Sequence, residues 1–153
     1  MKKVLILLIC MFLITGCGGN NKEELANIDT TKVAKKLETI SYFNNDSSLN
    51  DEDLIKGYGI DTKIISEYAI YISSAVKDPS MYIVAKPVEG KESILKFQIK
   101  EMFSKYLSSY SGYYPEAVPM IENRLEKEYN GYLIYIVSND NETIYKKIIE
   151  CKK

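Results

Sequence analysis

Apolar positions along this chain change their spacing several times, and each change marks an element. Val33, Ala34, Leu37 and Ile40 recur at helical spacing behind Ile28-Asp29-Thr30-Thr31, which offers an N-cap. A helix is therefore expected over 30–40. Residues 44–53 read as a polar loop, with Asp51 or Asp53 placed to cap a short turn around Leu54 and Ile55. Gly57-Tyr58-Gly59-Ile60-Asp61 ends that turn, its glycines permitting a tight bend. From Ile64 the spacing becomes two: Tyr68, Ile70 and Ile72 point one way, and Ala69, Tyr71 and Ser73 the other. Asp78-Pro79 signals a turn, and residues 81–87 form a second strand rich in β-branched side chains. So short a link predicts an antiparallel hairpin.

Gly90 breaks the chain, and a helix is expected over 91–109, with Leu95, Ile99, Met102, Phe103 and Tyr106 on its apolar face. Lys96, Lys100, Glu101 and Lys105 lie mostly off that face. Residues 110–119 read as irregular, with a short helix near 116–123. Runs 125–129 and 132–138 flank Asn130-Gly131, a hairpin signal because both turn residues accept positive φ. Asn139-Asp140-Asn141 caps a last helix, 141–150. The order is α-ββα-ββα. It implies an α+β fold: a four-stranded antiparallel sheet of two hairpins, with helices packed mainly on one face.

The first residues carry a different message. Lys2-Lys3 precede an unbroken apolar run, 4–14, too short for the ~20 residues of a membrane-spanning helix. Its length suits the apolar segment of a secretory signal. Leu13-Ile14-Thr15-Gly16-Cys17 then reads as a bacterial lipobox: small residues at the cut, followed by the thiol that takes a diacylglyceryl group. The expected organisation is a signal peptide (1–16), a lipidated tether (17–27) and one α+β domain (28–153). Each buried methylene contributes ~0.8 kcal/mol, so two or three acyl chains hold where one would not. The expected location is the extracytoplasmic face of the cell membrane, with Cys17 as the anchor.

Composition narrows what the domain does there. Removing the leader leaves 137 of 153 residues, enough for a core without staples. Two of the 20 basic residues leave with it, so 18 face 21 acidic ones, a net charge of −3. That gives no footprint for nucleic acid. Histidine is absent, which removes Ser-His-Asp and Cys-His catalysis and most catalytic zinc sites. Beyond Cys17 the mature chain keeps only Cys151, which reads as an apolar filler on the last helix. No cofactor is implied, and a monomer is expected.

Candidate chemistry is sparse. Ser74-Ala75-Val76-Lys77 matches S-x-x-K, but it ends a strand where that motif needs a helix, and its partner motifs are missing. Asp51-Glu52-Asp53 and Asp140 lack calcium-loop spacing and read as caps. Glu67, Glu101 and Glu116 are dispersed acids that nothing in the sequence brings together. No catalytic or metal-ligating residue is therefore assigned. Tyr106, Tyr110, Tyr113 and Tyr114 form the candidate binding surface, since aromatic faces with hydroxyl tips suit sugars and peptides. The competing reading puts Tyr106 in the core and leaves the others to close the loop.

Tyr58-Gly59-Ile60-Asp61, the strand Met81-Tyr82-Ile83-Val84-Ala85-Lys86, the helix through Phe103 and Tyr106, and Asn130-Gly131-Tyr132 leading into 133–137 carry a resemblance. Together with the leader, they resemble the small lipoproteins and secreted proteins of Gram-positive anaerobes classed as domain-of-unknown-function family 4358. The resemblance covers roughly 30–150. Its members often have an acid opening the second strand, where this chain has Met81. It implies no activity and no catalytic residues.

The expectation is a non-enzymatic, membrane-tethered lipoprotein that binds or supports an envelope protein or glycan. The alternatives are an envelope hydrolase or its accessory subunit using carboxylate chemistry, and a solute-capturing lipoprotein, for which the chain is short. Cys17→Ala should leave the chain unprocessed or release it from the membrane, as read by fractionation and intact-mass analysis. Normal cleavage with full membrane retention would rule out the lipobox.

Overall fold

The computed structural model describes residues 26–43 and 49–153. The leader, Cys17 and most of the tether lie outside the described residues, as do residues 44–48 of the polar loop. Helix α1 (Thr30–Glu38) opens where Asp29 accepts a hydrogen bond from the Lys32 amide at 3.0 Å. Helix α2 (Asp51–Tyr58) is longer than the short turn expected. Its cap is Asn50 rather than Asp51 or Asp53, and Asp53 answers from the third position to complete a capping box. Gly59, at φ 72°, ends it in the left-handed conformation.

Strands β1 (Ile65–Ile72) and β2 (Met81–Pro87) form the first hairpin. Helix α3 (Glu92–Tyr113) runs beyond the expected end at 109. Nothing between 109 and 113 forbids helix; Pro115 does, by pushing Tyr114 out of the helical region. Helix α4 (Val118–Glu122) then leads to β3 (Leu125–Tyr129) and β4 (Tyr132–Val137). Asn130 and Gly131 have φ 46° and 79°, the two-residue turn their sequence predicts. Helix α5 (Asn141–Ile149) closes the chain, capped by Asp140.

The sheet order is β1-β2-β4-β3, antiparallel throughout. The α+β class and the four-stranded sheet of two hairpins are as expected. The helices, however, do not gather mainly on one face. Ile65, Ile72, Met81, Ile83, Ala85, Leu133 and Val137 pack with buried residues of α2, α3 and α4. Their alternates Ala69, Tyr71, Tyr82, Val84, Tyr132, Ile134 and Ile136 pack with α1 and α5. The reason lies in β2 and β4: nearly every residue of both is buried, so each face needs a cover.

The second layer brings the two ends of the described chain together. Ile28 bridges Lys152, the Asp29 amide donates to the Cys151 carbonyl at 2.7 Å, and the Lys153 amide donates to Asn27 at 2.9 Å. Beneath them the fully buried Tyr132 shares its hydroxyl proton between the Ile28 carbonyl and Glu67, both at 2.9 Å. Lys153 donates to the same Glu67 oxygen at 2.7 Å and, with the Tyr132 hydroxyl, holds that carboxyl below its ordinary 4.5.

A lowered carboxyl pKa stabilises the fold above the unfolded value and loses its effect as pH falls through the folded one. The Glu67 contribution should thus be complete above about pH 4.5 and fade below it; Glu67→Gln should flatten that part of the acid-unfolding curve. Tyr132→Phe should cost about 1–2 kcal/mol in urea denaturation, because the buried Ile28 carbonyl loses its side-chain donor. An unchanged midpoint would show that the hydroxyl contributes nothing.

Candidate functional site

The four tyrosines do not form one surface. Helical spacing of four puts Tyr106 and Tyr110 on one side of α3, with ring centroids 4.8 Å apart and hydroxyl oxygens 3.4 Å apart. Tyr114 continues the ladder, 5.9 Å from Tyr110, with the Lys77 ammonium 6.0 Å above its ring. Tyr110 is buried and Tyr106 and Tyr114 are half-buried against the core. Tyr113 stands apart, 78% exposed. Burial is the main cause that raises the Tyr106 and Tyr110 phenols above their ordinary value. These hydroxyls thus stay protonated at neutral pH and act as hydrogen-bonding tips, not as bases.

A second site lies where α3 passes the edge strand β3. There an open groove of about 680 Å³ is lined by residues of α3, β3 and β4. From α3 come Lys96, Lys100 and Phe103, one stripe at spacings of four and three. From β3 come Glu126 and Glu128, whose alternation turns both carboxylates toward α3, and Arg124 completes that wall; Lys127 borders the groove but alternates to the opposite face, across from Ile134. Tyr135 of β4 forms part of the floor.

Arg124 organises the groove. Its guanidinium lies 4.5 Å over the Phe103 ring, donates to the Ile121 carbonyl at 3.2 Å and pairs with Glu126 at 2.6 Å. Its Nε is buried without a hydrogen-bond partner among the described residues. Stacking on an aromatic face suits the planar, weakly hydrated guanidinium. Lys96 pairs with Glu128 at 2.5 Å across the groove. Lys96, Lys100 and Arg124 thus face Glu126 and Glu128, three cations against two carboxylates, a net of +1. Burial, with the fields of Glu126 and Glu128, raises the Tyr135 phenol.

The groove sets cations and aromatic faces beside two carboxylates, each already paired with a cation. General acid–base work on two carboxyls needs one held protonated by a raised pKa. Among the described residues every displaced carboxyl goes down: Asp29, Glu67, Asp140 and Glu150, each chiefly through a hydrogen bond from a backbone or side-chain donor. Glu67, Glu101 and Glu116 sit on β1, α3 and the turn before α4 and share no site. Asp78 is occupied by Ser73 and Ser80 at the turn, and Ser74 to Lys77 run through the β1–β2 loop without forming a helix. Among the described residues no three potential ligands converge on a metal position. Cys151 is buried, its thiol raised by burial and donating to the Lys147 carbonyl, which matches a filler.

The groove was not foreseen. Its α3 stripe and the alternating charges of β3 are visible in the sequence, but nothing local says that these two elements are neighbours. The profile of the family described as Domain of unknown function (DUF4358) matches residues 38–138. No curated protein and no solved structure matches the chain.

Arg124→Ala should lower stability by about 1–2 kcal/mol, through loss of the stacked plane over Phe103 and of the Glu126 pair. Lys127→Ala, at the exposed rim, should stay within about 0.5 kcal/mol. Equal midpoints for both variants in denaturant would show that Arg124 organises nothing.

Proposed function

The chain belongs to the Domain of unknown function (DUF4358) family, and we propose that it is a lipid-anchored, non-enzymatic binding module of the cell-envelope surface. Cys17 attaches it to the outer leaflet, and the groove between α3 and β3 receives its ligand, an envelope protein or glycan carrying negative charge. The observation that carries this reading is the lining of the groove. It combines a guanidinium plane fixed on Phe103, a phenol at its floor, and Lys100, whose ammonium pairs with no carboxylate among the described residues. Cations on a preformed wall attract an anionic partner and set its register without a large apolar contact.

In the hydrolase alternative, Glu126 and Glu128 are the two carboxylates that this groove brings together. Each is neutralised by its own cation, which favours ligand positioning over proton transfer. The tyrosine ladder supports the reading less, since Tyr110 is buried and Tyr106 and Tyr114 are half-buried, while the exposed Tyr113 stands apart from them.

A photoactivatable residue at position 100 in the cell-anchored protein should give a discrete adduct, and Lys96→Glu, on the same wall, should diminish it several-fold. The same residue at position 38, exposed on α1, should give none. Absence of any specific adduct from position 100 would sink the groove as a binding site.

A further inference from the structure

We propose that the domain seats itself on the outer leaflet by one defined end, pressing Val88, Ile94 and Phe97 into the interfacial zone of the bilayer. This rests on the lipid-anchor reading of Cys17 and adds an orientation to it. Six large hydrophobic residues are exposed among the described ones, and three fall within 88–97. Phe97 is 62% exposed, Ile94 46% and Val88 40%. Strand β2 ends at Pro87, the Val88 amide donates to Ile64 at 2.8 Å, and α3 opens at Glu92. Leu95 and Ile99 fill the core, so Ile94 and Phe97, one turn apart, look away from the sheet.

The chain enters the domain at this same end. Asn27 accepts hydrogen bonds from Lys86 at 2.9 Å and from Asn130 at 3.2 Å. A side chain built on Gly131 would lie 3.8 Å from the Lys86 stem, so the hairpin tip and the end of β2 adjoin. The Lys96–Glu128 pair sets the Phe97 turn of α3 beside β3, and Glu128 faces Leu133, close to that tip. Nine residues, 18–26, separate Cys17 from Asn27. At ~3.5 Å per residue they keep the entry end within roughly 35 Å of the leaflet. The loop between β1 and β2 lies at the opposite end of the sheet, farther by about the length of a strand.

The occupant follows from that tether. Three apolar side chains make too small a patch to recruit a free protein. A leaflet already held nearby by the anchor is present at high effective concentration, so a weak contact suffices. Of the flanking charges, the exposed Lys91 can lay its stem along apolar surface with its ammonium among headgroups, while Lys86 is held by Asn27 and the Tyr132 ring and Lys96 by Glu128. Glu89 and Glu92 stand among them, so the seat depends on apolar insertion more than on anionic lipid.

The chain has no tryptophan, so one substitution makes a unique reporter. Phe97→Trp and Val76→Trp, the latter in the far loop at a residue 71% exposed, would be prepared as full lipidated chains. Each would be reconstituted into phosphatidylcholine and phosphatidylglycerol vesicles with brominated acyl chains. Phe97→Trp should shift to the blue and lose most of its emission, while Val76→Trp keeps its own. An unshifted, unquenched Phe97→Trp on chains that float with the vesicles would overturn the seat and leave the anchor standing, as would equal quenching at both positions. Chains that do not float at all would overturn the anchor and the seat with it.

Discussion

The constraint on which the rest of the structure depends is the two-sided apolar character of β2 and β4. A strand with one apolar face can lie on a single layer of helices; these two cannot. Met81, Ile83 and Ala85 look one way, Tyr82 and Val84 the other, and Leu133, Ile134, Ile136 and Val137 divide likewise. Placing the two strands side by side at the centre buries both sets once, with a helical layer on each face. The remaining strands take the edges, where charge is tolerable and discourages pairing with another chain. Strand β3 shows this: Glu126, Lys127 and Glu128 are exposed, while Leu125 alone of the strand is buried.

Covering the second face has a consequence for the ends of the chain. The helices available for it are α1 and α5, the first and last of the described residues, so the segments flanking them must meet. They do so over Tyr132, whose ring fills the core while its hydroxyl reaches the Ile28 carbonyl and Glu67. Lys86 lies 5.1 Å from the centre of the same ring and donates to Asn27, while Lys153 donates to Glu67. The closure gives the buried Tyr132 hydroxyl two acceptors, the Ile28 carbonyl and Glu67, and so avoids the cost of an unpaired group there. It also delivers the chain into the domain at a fixed point beside the β3–β4 turn.

What was legible in the sequence follows from how far each signal reaches along the chain. Asn130-Gly131 states its own turn, and Leu95, Ile99, Met102 and Phe103 state their own helix, because turn dihedrals and helical spacing are local. The end of α3 was misplaced by weak breakers: Ser108, Ser109, Ser111 and Gly112 lower helix propensity, yet only Pro115 forces an exit. The one-faced sheet was misread although the signal was present. Tyr68, Ile70 and Ile72 alternate with Ala69 and Tyr71, and both sets are apolar, which is the pattern of a strand covered on two sides. The tyrosine set looked like one surface because 106, 110, 113 and 114 are close in sequence. Helix geometry divides it, burying 110 and exposing 113. The groove stayed hidden for the opposite reason, since Lys100 and Arg124 become neighbours only when α3 and β3 pack.

These elements together give the groove a direction. Helix α3 and strand β3 run antiparallel past each other here: Lys96 pairs with Glu128 near the hairpin tip, and Phe103 meets Arg124 farther along. The entry point at Asn27 shares the Lys96–Glu128 end. For a chain anchored at Cys17, that rung is the membrane-proximal mouth, and the Arg124 stack is the distal one. The ladder of Tyr106, Tyr110 and Tyr114 continues along α3 beyond Phe103, farther still from the entry end. On the binding reading proposed above, a ligand arriving at the distal end would meet the fixed guanidinium first and the mobile-stemmed lysines afterwards. That order suits capture: a rigid, preorganised cation loses little entropy on first contact, and flexible ammoniums can then close on charge that has already been positioned.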